Sequence, residues 1–301
     1  MERQPTLTAL VEQYLLRCAV EGKSPRTVRA YRETLGRFLA AVPLADPAAV
    51  EAAHLYAYLG RFTHLTLETR HRYFREVRCF FNWLVAAEHM QRSPFRGMRN
   101  VRLPQRIVQP FSADEVVRLL AACPHGVAGL RDRAVLLTLL DTGMRCSELV
   151  GLDRDDLDLA EGRFRILHGK GNKQRVVPFA GRCREALTAY LERRGNAAPG
   201  PLYVATSGRG ALCTGVMLQP NGLKQLLRRL GRASGVPKVH AHRFRHTFAT
   251  WAIAHDAREL DVQYLLGHAS SDMVRRYSSS YRSEQAALRH AHFSPADQML
   301  A

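Results

Sequence analysis

Residues 91–111, QRSPFRGMRNVRLPQRIVQPF, hold three prolines, five arginines and no acidic residue. A segment of this kind neither sits in an apolar core nor runs as one helix, because each proline pushes the residue before it out of helical geometry. The chain of 301 residues must therefore fold on either side of it. This matches the rule that one hydrophobic core rarely organises more than ~250 residues. The reading is a first domain over 1–90, a basic linker over 91–111 and a second domain from 112 onward. The linker's charge suits contact with a phosphate backbone.

Both sides share that charge. Lys+Arg number 44 against 27 Asp+Glu, a net +17 with pI near 10.3, and only five of the cations are lysine. A polyanionic partner follows, nucleic acid before an acidic membrane surface. Hydrophobic residues at 46% and charged residues at 24% exclude wholesale disorder and fibrous folds. The six cysteines (Cys18, Cys79, Cys123, Cys146, Cys183, Cys213) stand far apart without a CxxC pair. That points to a reducing compartment, and away from zinc ribbons and disulfide scaffolds. The N-terminus lacks a signal-peptide layout, and no apolar run approaches the ~18 residues of a membrane span. The expectation is a cytoplasmic protein.

The first domain reads as four helices. Leu7, Leu10, Val11, Tyr14 and Leu15 make a helical stripe within 6–20. Ser24-Pro25 supplies an N-cap and a proline at the first helical position, opening a helix that buries Val28, Tyr31, Leu35, Phe38 and Leu39. Asp46-Pro47 starts a third in the same way. The fourth, over 67–87, carries Tyr73, Val77, Phe80, Phe81 and Leu84 on one side. Arg26, Arg29, Arg70, Arg72 and Arg75 project elsewhere and are candidate DNA contacts, as are Arg102 and Arg106 in the linker. Solvated basic helix faces are also simply solubilising.

In the second domain, Ser112 with Glu115 forms a capping box for a helix over 113–122, and a buried helix follows over 129–142. Three strand-like pieces, 155–159, 164–167 and 174–179, are separated by Gly162 and by Gly169-Lys170-Gly171-Asn172. Helical patterns return at 182–193, 221–233, 242–255, 258–266, 270–277 and 282–290. The fold class is mainly α with a small antiparallel sheet in the second domain.

Five short segments place phosphate-competent side chains beside turns. They are TGMRCSEL with Arg145 and Glu148, GKGNKQR with Lys170, Lys173 and Arg175, HRFRHTF with His242, Arg243 and Arg245, LLGH with His268, and RRY with Tyr277. Taken singly, each has an ordinary reading as a helix cap, a solvated hairpin or a rim residue. The GKG segment lacks the P-loop spacing. His242 and His246 lack the glutamate of a zinc-binding HExxH, and their cationic neighbours disfavour a metal.

In this order the five segments resemble the tyrosine recombinase (phage integrase) family, and its Xer-like bacterial members in particular. The likeness extends over nearly the whole chain, including SPRTVRAY at 24–31. One local departure is His240-Ala241 ahead of the His-x-x-Arg, where members often carry Ser, Thr or Pro. The resemblance implies a two-domain, C-shaped DNA clamp. It implies Arg145, Lys170, His242, Arg245, His268 and the nucleophile Tyr277 as catalytic residues, with Glu148 orienting them and no metal or cofactor. In the implied reaction, Tyr277 attacks the scissile phosphate and leaves a 3′-phosphotyrosyl enzyme and a free 5′-hydroxyl, without ATP. Arg145 and Arg245 hold the non-bridging oxygens, Lys170 protonates the leaving oxygen, His242 assists proton transfer and His268 donates to the phosphate. Implied partners are double-stranded DNA with inverted-repeat sites and a homotetramer or a heterotetramer with a related recombinase, a tail helix at 282–301 linking protomers. With the first helices so near the start of the sequence, the expectation is a simple recombinase without an extra arm-binding domain. Dimer resolution in chromosome segregation and mobile-element integration or excision both stay open. So do two other classes, a type IB topoisomerase-like enzyme and a catalytically silent DNA-binding accessory protein.

Overall fold

The computed structural model describes residues 5–104, 108–167, 174–195, 199–207 and 211–267, with 290, 294 and 296. The chain divides into two compact units, Met1–Arg106 and Ile107–Ala301.

In the first unit, α1 (Leu7–Val20), α2 (Pro25–Ala41), α3 (Ala52–Gly60) and α4 (Leu67–Ala86) each begin where a capping side chain precedes an apolar stripe. Thr6, Ser24 and Thr66 accept hydrogen bonds from the amides of Ala9, Thr27 and Thr69, and Pro25 occupies the first turn of α2. The α1 stripe Leu7, Leu10, Val11, Tyr14, Leu15 and Cys18 is wholly buried. In α2, Leu35 and Phe38 go fully inward while Val28, Tyr31 and Leu39 stay half-buried. Phe38 lies edge-on between Tyr58 at 5.3 Å and Phe81 at 5.6 Å, a geometry in which the positive ring edge meets a negative ring face. The Thr34 hydroxyl donates to the buried Glu76 carboxylate at 2.5 Å.

The helix expected at Asp46-Pro47 is corrected to a single 3-10 turn, Pro47–Ala49. Asp46 does cap it, accepting from the Ala48 amide at 2.8 Å. Val50 then turns extended to bury its side chain in the core, and α3 starts afresh at Ala52. Residues 91–104 carry no helix or strand, yet Phe95 is buried in this unit's core with Met98 packed against it. Phe111 belongs to the core of the second unit.

The second unit opens with α5 (Ala113–Ala121). Ser112 and Glu115 exchange bonds at its start, at 3.1 and 3.0 Å, as the sequence predicts. Next come α6 (Val127–Thr142) and a short α7 (Cys146–Val150). The strands β1 (Leu157–Asp158), β2 (Arg163–Ile166) and β3 (Arg175–Pro178) form one antiparallel sheet in the order β1-β2-β3. Phe164 pairs with Val177 and Ile166 with Arg175. Alternation puts Phe164, Ile166 and Val177 on the buried face. The second unit's core continues through α6 and α8 (Gly181–Arg194), which pack on each other.

A second antiparallel pair, β4 (Val204–Thr206) with β5 (Leu212–Met217), was not expected. Its signal is weak because only Val204 is fully buried and Gly215 interrupts the alternation. Three helices complete the described part: α9 (Pro220–Ser234), α10 (Ala241–Ala254) and α11 (Glu259–Leu266). The helices expected at 270–277 and 282–290 lie outside the described residues, apart from His290. Among the described residues no helix is long and apolar enough to cross a membrane.

Candidate active site

The C-terminal end of α11 organises the site. The last carbonyls of a helix have no partner within it and carry the negative end of its dipole. Here three successive carbonyls each accept from a different arginine. Leu265 O accepts from Arg175 Nε at 2.9 Å, Leu266 O from Arg245 Nη2 at 2.8 Å, and Gly267 O from Arg145 Nη2 at 3.1 Å. Three arginines at positions 145, 175 and 245 are thereby gathered on one turn.

Glycines make that gathering possible at two points. Gly267 ends α11 with φ +63°, the left-handed conformation that favours glycine, and a Cβ there would lie 3.1–3.2 Å from the Arg175 side chain. Gly143 ends α6 with φ +58°, and a Cβ there would come within 2.7 Å of both Leu266 Cδ2 and Phe248 Cδ1. Its carbonyl accepts from Arg245 Nη1 at 2.8 Å. Arg245, only 4% exposed, is thus fixed between the ends of α6 and α11.

Glu148 holds the other two arginines. It stands in the first turn of α7 and accepts from the Arg145 amide at 2.7 Å, satisfying one unpaired donor of that helix start. Its carboxylate also accepts from Arg145 Nη1 at 2.7 Å and, through both oxygens, from Arg175 at 2.9 and 2.8 Å. Burial alone would raise its pKa. The hydrogen bonds from Arg175 and from the Arg145 amide and side chain, with the Arg175 charge, together outweigh that, and the result is about 2. Glu148 is therefore ionised throughout the neutral range. Arg145 keeps 27% of its side chain exposed, so a solvent-facing part of its guanidinium is left to meet an anion.

α10 brings His242 and Arg245 in from the other side. His240 caps it: the imidazole Nδ1 accepts from the Arg243 amide at 3.1 Å. The role that Ser or Thr commonly fills is taken here by a histidine. The His240 and His242 rings stack with centroids 6.5 Å apart and planes 10° apart. The protein packed around each ring, then the neighbouring positive groups, lower both pKa values below the usual histidine value. Burial lowers His246 further, to about 4, and His242 adds to it. All three rings are held as neutral imidazoles, with acceptor nitrogens, near pH 7.

Of the six residues expected to do chemistry, Arg145, His242 and Arg245 are brought to this corner, together with Glu148. Lys170, His268 and Tyr277 lie outside the described residues, as do Lys173 and Arg106. In sequence, Lys170 falls in the segment joining β2 to β3, and His268 directly follows Gly267. In the first unit, Arg26 and Arg29 are exposed on α2, Arg75 is exposed on α4, and Arg70 and Arg72 are half-buried there. Arg72 lies 4.9 Å from the centre of the Tyr73 ring. Arg102 is exposed.

Two of the expected DNA contacts face inward in the structure. Arg243 is buried, 3.9 Å from the centre of the Phe111 ring, and spends its guanidinium inside the unit on Glu115 and the carbonyls of Gln109, Pro110 and Pro237. The signal was in the helix period: residue 243 stands about 100° round the helix from 242. Arg175 spends all three of its nitrogens on Glu148 and Leu265. Strand alternation carried that signal, since Arg175 shares a face with the buried Val177.

The phage integrase family model matches residues 109–284. Tyrosine recombinase XerC of Xylella fastidiosa (strain M23) is 32% identical over 278 residues, covering 90% of this chain and 92% of its own. Tyrosine recombinase XerD of Listeria monocytogenes serotype 4b (strain F2365) is 30% identical over 284 residues, covering 89% and 93%. Among solved structures, the XerH site-specific recombinase, bound to palindromic difH substrate in a post-cleavage complex, matches in fold. Its TM-score is 0.71 at 20% identity, over 93% of this chain and 83% of that one. A buried glutamate and three arginines on one helix end, within a chain this similar to XerC and XerD, lead to one assignment: the chain belongs to the phage integrase family and is a tyrosine recombinase of the Xer type.

Proposed function

We propose that this recombinase cuts and rejoins double-stranded DNA at a short inverted-repeat site through a 3′-phosphotyrosyl intermediate formed by Tyr277. The observation that carries the reading is the placement of Arg145 and Arg245 on adjacent carbonyls, Gly267 O and Leu266 O. Two guanidiniums oriented in advance can take up the charge that builds on the non-bridging oxygens as the tyrosine attacks. His242, neutral near pH 7, is suited to accept or relay the phenolic proton. Lys170 protonates the leaving 5′-oxygen, and His268 donates to the phosphate. The phosphodiester energy is kept in the protein–DNA bond, so strand rejoining needs no ATP.

The first unit serves as a core-binding domain, its exposed Arg26, Arg29 and Arg75 meeting phosphates, and residues 112–281 act as the catalytic domain. Four protomers assemble on two sites, as one kind of chain or with a related recombinase, and the 282–301 tail bridges neighbours. The protein works on nucleoid DNA in the cytoplasm, in dimer resolution or in mobile-element integration.

A nicked suicide duplex carrying a site selected from a random-sequence pool tests this. Wild-type protein should form a covalent adduct, and Tyr277→Phe should bind equally well and form none. An adduct that persists in Tyr277→Phe and vanishes in Tyr281→Phe would move the nucleophile. Binding without any adduct by the wild type would make the chain an accessory protein.

A further inference from the structure

We propose that Arg175 is a positioning residue for the cleavage step: it ties the start of β3, which follows Lys170 in sequence, to Glu148 and to the end of α11, and it makes no contact with DNA. The inference rests on the recombinase reading above.

The geometry is that of a clamp. Arg175 is the first residue of β3 and pairs with Ile166, the last residue of β2, so it closes the ladder where the Lys170 segment joins. Its side chain faces inward, 13% exposed, against a Glu148 side chain that is 1% exposed. The guanidinium donates Nη1 and Nη2 in parallel to the two oxygens of Glu148, while Nε reaches Leu265 O at 2.9 Å. A single planar fork thus joins β3, α7 and α11. In sequence these elements lead to Lys170, Arg145 and His268 respectively. A DNA phosphate could bind Arg175 only by displacing a buried carboxylate from a two-pronged bond. That exchange is unfavourable, because the abandoned Glu148 would keep its charge without its main partner. Gly267 completes the arrangement, since any Cβ there would press on this guanidinium.

Lysine cannot substitute. It offers one point charge where the structure uses a fork and a third bond on a separate edge. Without the clamp, β3 keeps its ladder bonds to β2 but loses its tie to α7 and α11. A displacement on the order of 1 Å at a proton donor can slow a reaction about 10²-fold.

The test uses full-length protein on the selected site, with wild type and Tyr277→Phe alongside. Arg175→Ala should bind the half-site within about 2-fold of wild type, with the same salt slope, and cleave the nicked duplex about 10²-fold more slowly. A substrate with a 5′-bridging sulfur, whose leaving group needs little protonation, should restore most of that loss, as it should for Lys170→Ala but not for Arg145→Ala. Arg175→Lys keeps a cation opposite Glu148 and so keeps the fold if the alanine variant does not. It should be slowed in the same sense and rescued by the same sulfur substrate. Two results would overturn the proposal. One is a tenfold weaker half-site affinity with a shallower salt slope, which would make Arg175 a DNA contact. The other is slow cleavage that sulfur leaves unrescued in both variants, which would cut its link to the Lys170 hairpin. Absence of a Tyr277-dependent adduct in the wild type would instead defeat the recombinase reading itself.

Discussion

Glu148→Gln removes the charge that holds two arginines together, and its cost can be worked out before any assay. The folded carboxyl titrates at about 2 against an ordinary 4.5. At ~1.4 kcal/mol per pH unit, that difference is worth about 3 kcal/mol at pH 7. An independent route gives a similar answer, because removing one partner of a buried ion pair costs about 3–5 kcal/mol. The sign follows from the direction of the shift. A depressed carboxylate stabilises fully above its unfolded value and loses that contribution as pH falls through its folded one. The gap between wild type and Glu148→Gln should therefore be constant from pH 8 to about 6, and shrink to about 1 kcal/mol at pH 3.

The chain allows a clean reading of that gap. Its two tryptophans are Trp83 in the first unit and Trp251 in the second. In a Trp83→Phe background, fluorescence during urea unfolding follows the second unit alone. A gap below about 1 kcal/mol at pH 7, or one undiminished at pH 3, would show that Glu148 is not the buried counter-ion described above.

Substitutions at three further positions probe the same unit. Gly267→Ala forces a Cβ against Arg175 at φ +63° and should cost about 1–3 kcal/mol in the same unfolding assay, with slower cleavage; a neutral result would mean that the α11 end relaxes freely. His240→Ala should lose about 1 kcal/mol at pH 8 while His240→Ser, which can still cap α10, should lose little. The lowered pKa values of His240, His242 and His246 mean that this unit loses stability as pH falls from about 6.5 toward 4, and His240→Ser should show a shallower fall. Arg243→Ala should destabilise the second unit by more than about 2 kcal/mol through the unpaired carbonyls and Glu115 it leaves, yet half-site affinity of the folded fraction should stay within about 2-fold.

Much of this was legible in one dimension because its causes are local. The starts of α1, α2, α4 and α5 lie at Thr6, Ser24, Thr66 and Ser112, where a hydroxyl meets an unpaired helix amide within three residues. The three-stranded sheet shows in the alternation that buries Phe164, Ile166 and Val177. The Asp46-Pro47 helix misled because the cap and the proline are real, while the pull of the core on Val50, which ends the turn, comes from residues far away in sequence. The inward placement of Arg243 and Arg175 escaped the sequence reading for a related reason. An arginine beside a motif is read by its charge, whereas its fate depends on which way the helix or strand aims it.

The site itself was legible as a set of residue types in order, but its means of assembly was not. Nothing in the spacing of Arg145, Arg175 and Arg245 says that each will end on one of three consecutive carbonyls. That convergence arises because α11 stops at a left-handed glycine, leaving its last carbonyls unpaired with the helix dipole behind them. Three cations on one helix end would repel one another, and a buried acid is needed to make the cluster stable. Glu148 supplies that charge to Arg145 and Arg175. Arg145 is bound to that carboxylate and to Gly267 O, and Arg245 is held by the carbonyls of Gly143 and Leu266. Carbonyl dipoles orient a guanidinium without cancelling its charge.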